Sequence, residues 1–393
     1  MPPPCTRLDE VIGILTMLTQ GGRILAALLI FGLIVTIHEL GHFLAAKAMG
    51  VKVNEFAIGF GPALLRFGKG ETRYSLRAFP LGGFCAMEGE DAAGAGEVDV
   101  HTDDAPHDEN DPRSFLNKPV WRRIVITVAG VTANLLLGFL VLLVYNGVCI
   151  APSQDGNVYY TSTQISVLGE DTPSYQSGLR PGDTLLSIDG QRVFSSLDIQ
   201  FLLQSSDDGI FEMKVRRGDK TVLLPEVRFN RTYSEETERY TLQYDFYVSP
   251  VPQTVWSTIA ESARMECSTA VTVWRTVKGM FTGQYGLNEL SGPVGMVDAI
   301  GDVVEDAVQQ VRWQDGLANV LMLIAMITVN VGVMNLLPIP ALDGGRLLFL
   351  IIEGITRKRV PPKYEGWVHA AGFILLLLLI AVVTFNDIVK LFV

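Results

Sequence analysis

Four apolar stretches of about 20 residues, at 24–46, 124–150, 317–339 and 367–385, fix the fold class before any motif is considered. Each is long enough to cross the hydrocarbon core of a bilayer as a helix. A helix is also the form in which a single segment satisfies its own backbone groups in lipid. With 48% hydrophobic and 19% charged residues in a chain of 393, the sequence predicts an α-helical polytopic membrane protein with four transmembrane helices. The long polar interval between the second and third stretches predicts a soluble insert.

Basic residues orient the chain. Lys47, Lys52, Arg66, Arg73, Arg77, Lys118, Arg122 and Arg123 lie between the first two spans, and Arg357, Lys358, Arg359 and Lys363 between the last two. Loops this rich in Lys and Arg are expected in the cytoplasm. Both termini and the insert are then extracytoplasmic, in a plasma or inner membrane. A formal net charge of −11 argues against nucleic acid as a partner. Residues 88–118 form an acidic, glycine-rich run expected to be a flexible cytoplasmic loop. Cys5, Cys85, Cys149 and Cys267 are too scattered for a CxxC metal site or a disulfide framework. Residues 1–23 read as an N-terminal extension without a small-residue cleavage site, so the first span is expected to be retained.

Within that first span (24–50 with its flank) lies His38-Glu39-Leu40-Gly41-His42. Imidazoles at i and i+4 project from one helix face and can share a Zn²⁺ ion, while the glutamate between them can act as general base toward water. Two histidines and a glutamate are costly in hydrocarbon, and such residues mark function by default. The bland alternative is a pair of core histidines satisfied by neighbouring helices.

A catalytic zinc takes three protein ligands and keeps one position open. Asp343 is the best third ligand, at the end of Asn335-Leu336-Leu337-Pro338-Ile339-Pro340-Ala341-Leu342-Asp343-Gly344-Gly345, where two prolines interrupt helical hydrogen bonding. Irregular backbone at membrane depth belongs where it is buried in protein or lines a wet cavity. Depth agrees: His38 falls roughly 21 Å along a span of roughly 30 Å, toward the cytoplasmic side, where the third span also ends. Glu353 is the rival ligand. Asn335 admits two roles, donation to an oxyanion or substrate backbone, or an interhelical hydrogen bond. His101, His107 and His369 read as solvated or interfacial residues.

These motifs, with Phe56-Ala57-Ile58-Gly59-Phe60-Gly61-Pro62 and Phe79-Pro80-Leu81-Gly82-Gly83, resemble those of the site-2 protease family, most closely the bacterial type that cleaves anti-sigma factors. The resemblance implies that His38, His42 and Asp343 bind zinc, that Glu39 is the catalytic base and that Asn335 positions the substrate. It also implies a single-pass transmembrane substrate, either an anti-sigma factor already trimmed outside the membrane or a signal-peptide remnant. One departure is Val131, which follows Gly130 where many relatives have proline.

Residues 51–87 alternate strand-like pieces with glycine turns, too short and polar for a span. The resemblance implies a membrane-associated β-hairpin-like element, whose strand edge captures unwound substrate by β-addition. Gly59 and Gly61 would permit close backbone approach there. In the insert, Ser177-Gly178-Leu179-Arg180-Pro181-Gly182-Asp183-Thr184-Leu185-Leu186-Ser187-Ile188-Asp189-Gly190 resembles the core signature of PDZ domains. One PDZ domain, a β-rich α+β fold, is therefore expected over 155–232, either receiving a freshly cut C-terminus or excluding bulky substrates. Residues 233–316 follow as a helical region. Its stretch 255–281, with Trp256, Ile259, Ala263, Val271, Trp274, Val277 and Phe281 at helical spacing, reads as an amphipathic helix, on the membrane surface or against the PDZ module. The remaining assignments are 119–150 for the second span, 317–355 for the third, 356–366 for a basic loop and 367–393 for the fourth. Two rival functions are a PDZ-bearing scaffold or chaperone with a vestigial zinc site, and a metal transporter. An intact base argues against the first, and clustering of the polar residues at one depth argues against the second.

Overall fold

The structure is a computed structural model that describes residues 5–68, 70–90, 111–204, 208–234, 239–283, 292–310 and 312–392, with side chains of the first helix described from Gly21 onward. In chain order its elements are α1 (Cys5–Ala48), β1 (Val53–Phe67), β2 (Arg73–Met87), α2 (Val120–Val144), β3 (Tyr159–Leu168), α3 (Pro173–Gln176), β4 (Thr184–Ile188), β5 (Gln191–Arg192), α4 (Ser196–Gln204), β6 (Ile210–Arg217), β7 (Lys220–Arg228), β8 (Arg231–Ser234), β9 (Arg239–Leu242), β10 (Phe246–Pro252), α5 (Val255–Phe281), α6 (Pro293–Gln309), α7 (Trp313–Leu336), α8 (Asp343–Thr356) and α9 (Pro362–Phe392). They divide into two compact units, one of residues 1–138 and 276–393, the other of residues 139–275. Most of the acidic loop, with His101 and His107, lies outside the described residues.

Four helical segments of the described residues are long and apolar enough to cross a membrane: Gly21–Ala48, Val120–Cys149, Trp313–Leu336 and Lys363–Lys390. Their outward faces are apolar, with Leu29, Leu33, Leu136, Leu140, Leu375 and Leu378 all more than half exposed, as a lipid-facing surface requires. The third span stops three residues before the expected boundary. Leu337 is already extended (φ −63°, ψ 143°), because a residue ahead of proline is forced out of the helical region. Asp343 accordingly opens a new helix, α8.

β1 and β2 each bend back on themselves. Residues 53–58 pair with 83–87 on one side and 73–76 on the other, and 63–67 pair with 74–77, so two strands make a sheet of four segments. The bends fall at Gly59, Gly61 and Gly82, with φ of 86°, 85° and 97°, which a residue with a Cβ resists. The outer segment exposes Leu64, Leu65 and Phe67 at 61–64%. Inside the sheet Arg77 donates to Glu55 at 2.9 Å and to the Gly61 carbonyl at 2.9 Å, tying the bend to the central segment.

Gly292-Pro293-Val294-Gly295 opens α6. The backbone N–H groups of Gly292 and Gly295 both donate to Oδ2 of Asp387, at 2.9 Å each, so a buried carboxylate of α9 satisfies the free N–H groups at the start of α6. Further along, Arg23 of α1 reaches Asp298 at 3.0 Å, Asp302 and Glu305.

The second unit is built on a sheet of order β10-β3-β4-β6-β7, with β5 beside β4. β6 alternates strictly, with Phe211, Met213 and Val215 inward, and Ile165, Leu179, Leu185, Ile188, Leu203 and Val227 complete the core. Two fully buried carboxylates are paired: Asp183 with Arg217 at 2.7 Å, and Asp198 with Arg275 at 2.6 Å. Asn146 is also buried, its carbonyl accepting from Tyr160 Oη at 2.9 Å and Gln253 Nε2 at 2.8 Å. α5 occupies the expected 255–281, and its apolar Val255, Trp256 and Trp274 are 73%, 80% and 54% exposed.

Candidate metal centre

The helical period of α1 places His38 and His42 one above the other, and both rings are buried. Their Nε2 atoms are 3.2 Å apart. Oδ2 of Asp343, from the first turn of α8, lies 3.0 Å from Nε2 of His38 and 3.2 Å from Nε2 of His42. Among the described residues these three form the cluster of His, Cys, Asp and Glu that could hold a metal ion. The separations fit zinc, since ligands about 2.0–2.1 Å from a tetrahedral ion stand roughly 3.3 Å from one another. Three donors at these distances could supply one face of such a tetrahedron, the number a catalytic zinc takes from protein.

The far side of each ring is held by α2. Nδ1 of His42 donates to the Ile126 carbonyl at 2.8 Å, which turns the Nε2 lone pair toward Asp343. The carboxamide of Asn134, fully buried, lies 3.3 Å from Nδ1 of His38, and its other end has no partner among the described residues. Nδ2 is the atom facing the ring; with the amide turned over, its oxygen would accept Nδ1–H and free Nε2 as a ligand, the usual arrangement behind a metal-binding histidine. Gly41 lets the helices approach: a Cβ there would stand 2.8 Å from Cβ of Ala133.

A cavity of about 200 Å³ opens beside the cluster, lined by His38, Glu39, Asn335 and Asp343 with the apolar Val35 and Val331. Nδ2 of Asn335 lies 3.4 Å from Nε2 of His38. Gly59 and Gly61 lie instead at the bend in β1, packed against Phe79, whereas Gly83 of β2 has its Cβ position 3.7 Å from Cγ of Glu39. Glu353, the rival ligand, is engaged elsewhere: Arg123 grips both its oxygens, one at 3.0 Å.

Two residues near the cluster were not among the site residues expected from sequence. Asn134 offered a signal, a lone amide in an apolar span. His369 is a correction. Of the two readings, solvated or interfacial, the first does not hold: the ring is 6% exposed, because the turn ahead of Asp343 covers it and donates the Ala341 N–H to its Nδ1 at 3.0 Å.

Comparison with known proteins agrees with the metal geometry. Residues 26–379 match the profile of peptidase family M50. The chain belongs to peptidase family M50. Relatives include the regulator of sigma-W protease RasP of Bacillus subtilis, 30% identical over 94% of this chain and 99% of the relative. The zinc metalloprotease RasP of Geobacillus kaustophilus is 30% identical over 94% and 98%. A Clostridium acetobutylicum protein named as a candidate zinc metalloprotease is 35% identical over 93% and 97%. As an M50 member, this chain is a membrane-embedded zinc metalloprotease of the site-2 type, with His38, His42 and Asp343 able to form its metal site.

Proposed function

We propose that the chain hydrolyses a peptide bond within or near the membrane segment of a single-pass substrate, with His38, His42 and Asp343 as the zinc ligands, Glu39 as general base and Asn335 as a donor to the scissile carbonyl. The observation that carries this reading is the triangle of ligand atoms, 3.0–3.2 Å on a side, beside a cavity that Glu39 and Asn335 line. Zinc, when bound, polarises the scissile carbonyl and makes a water molecule acidic enough to lose a proton near neutral pH. Glu39 accepts that proton as the water oxygen forms its bond to the carbonyl carbon, then delivers it to the amide nitrogen as the C–N bond breaks. Asn335 donates to the carbonyl oxygen as negative charge collects there.

A membrane helix protects its own peptide bonds, so the substrate has to be unwound. The sheet of β1 and β2 supports strand addition as the means. Its segment 83–87 is an edge, Gly83 lies against Glu39, and Gly59 and Gly61 shape the bend that brings the sheet there. The B. subtilis relative, named for regulating sigma-W, favours an anti-sigma factor as substrate, with signal-peptide remnants as the other candidate. The second unit, with its buried Asp183 after the Gly-Leu turn, is assigned as one PDZ domain covering 155–232 and completed by β10. Loop charges favour a position outside the cytoplasm for it and both termini, and the exposed tryptophans of α5 suit a membrane surface.

The test is cleavage of a model single-span substrate by purified wild type and Glu39→Gln, with zinc content measured on both. The variant is expected to keep zinc and lose about 10²–10⁴-fold in rate. Equal cleavage would sink the mechanism, and zinc-loaded wild type that cleaves no substrate would favour a scaffold.

A further inference from the structure

The turn that carries Asp343 is anchored from α9. Ala341, two residues before the carboxylate, has φ +76°, a left-handed backbone that residues with a Cβ seldom adopt. Its N–H donates to Nδ1 of His369 at 3.0 Å. The His369 ring packs against Phe349 of α8, centroids 5.8 Å apart. One turn further along α9, Gly372 makes room for the same turn: a Cβ there would stand 2.9 Å from the carbonyl carbon and oxygen of Pro340. An acceptor and a gap on one face of α9 thus fit the backbone of residues 340–341.

The choice of histidine is informative. A neutral imidazole that accepts at Nδ1 carries its proton on Nε2, and Nε2 of His369 is buried without a partner among the described residues. An unpaired buried donor is costly, and a phenylalanine or leucine would fill the space without it. What the imidazole supplies here, and those side chains lack, is the Nδ1 acceptor for the strained residue.

We propose that His369 is a positioning residue for the metal centre: by holding the Ala341 N–H it fixes the 338–343 turn so that Oδ2 of Asp343 meets both imidazoles. It acts through the backbone and touches no reacting atom. The proposal rests on Asp343 being a zinc ligand.

The test uses the purified full chain in detergent, with zinc affinity measured by competition against a chromophoric chelator, and kcat and KM on a single-span substrate. His369→Phe keeps the bulk and removes the acceptor, whereas His369→Asn returns an oxygen close to the place of Nδ1. The phenylalanine variant is expected to bind zinc about 10-fold more weakly or worse, with kcat reduced and KM within about twofold, and the asparagine variant to stay within about threefold of wild type. If His369→Phe does not accumulate, His369→Gln, whose oxygen lies one bond too far, replaces it with the same expectation. Wild-type zinc affinity in the variant lacking the acceptor overturns the proposal, as does an equal loss with asparagine, which is the mark of packing alone. Asp343→Asn, measured alongside, separates the two readings. Should it hold zinc as tightly as wild type, the ligand assignment and this proposal both fall. Should it lose zinc while His369→Phe does not, this proposal alone falls.

Discussion

Gly130 of α2 lies directly against His42 of α1: a Cβ built on it would run into Nε2 of the ring and stand 2.8 Å from Cδ2 of His42 and from Cε1 of His38. A bare backbone at this position lets α2 come close enough for the Ile126 carbonyl and the Asn134 carboxamide to reach the two Nδ1 atoms.

Gly130→Ala is therefore expected to push the imidazoles off the geometry that zinc requires. Zinc retained after dialysis should fall at least about 10-fold and cleavage with it. Gly147→Ala, where an added Cβ meets nothing within 4 Å, is the control and should leave both unchanged. Full zinc content in Gly130→Ala would show that the helices shift apart at little cost.

The pair formed by Arg123 and Glu353 makes a different prediction. Their side chains are 6% and 16% exposed, so removing one charge strands the other in a poorly solvated place. Glu353→Gln should lower stability by about 3 kcal/mol, read as a lower unfolding midpoint, while zinc per chain stays that of wild type. Loss of zinc without loss of stability would return Glu353 to the ligand set.

Glu266 of α5 gives a pH dependence. Burial pushes its carboxyl from the ordinary value of about 4.5 up to about 7, and its Oε1 has no partner among the described residues. The folded state thus holds the proton more tightly than the unfolded chain. The associated stability is complete below about 4.5 and lost as pH rises through about 7. Glu266→Gln should raise the unfolding midpoint at pH about 8 and leave it almost unchanged at pH about 4.5. An equal shift at both would assign the effect to packing.

The readable part of the site is the part written in one helix or one short run. His38 and His42 follow from the period of α1, and Asp343 follows from the prolines that end α7 and the depth at which they do so. The same prolines set a boundary that hydropathy overshot, because apolar Leu337 and Ile339 continue the pattern after the helix has stopped. The residues behind the ligands were not readable in the same way. Asn134 and His369 act on atoms at 3.3 and 3.0 Å that belong to distant stretches of chain, and no local periodicity reports such a contact. Gly130 was visible as a glycine, but only the neighbouring rings explain it. The doubled-back sheet likewise depends on which segments pair, which alternation within one strand leaves open.

The fourth span is also a ruler. Its His369 meets the turn beneath Asp343, and its Asp387 meets the start of α6. These residues are about five helical turns apart, roughly 27 Å, and five whole turns bring them to the same side of the rod. One inserted residue would swing one contact about 100° away from the other, and an inserted turn would keep the phase but offset it by about 5 Å. A span that merely anchors can lengthen or shorten to suit a thicker or thinner bilayer. Between His369 and Asp387 this one has no such freedom, so mismatch with the membrane has to be absorbed at its ends or by tilting the whole rod.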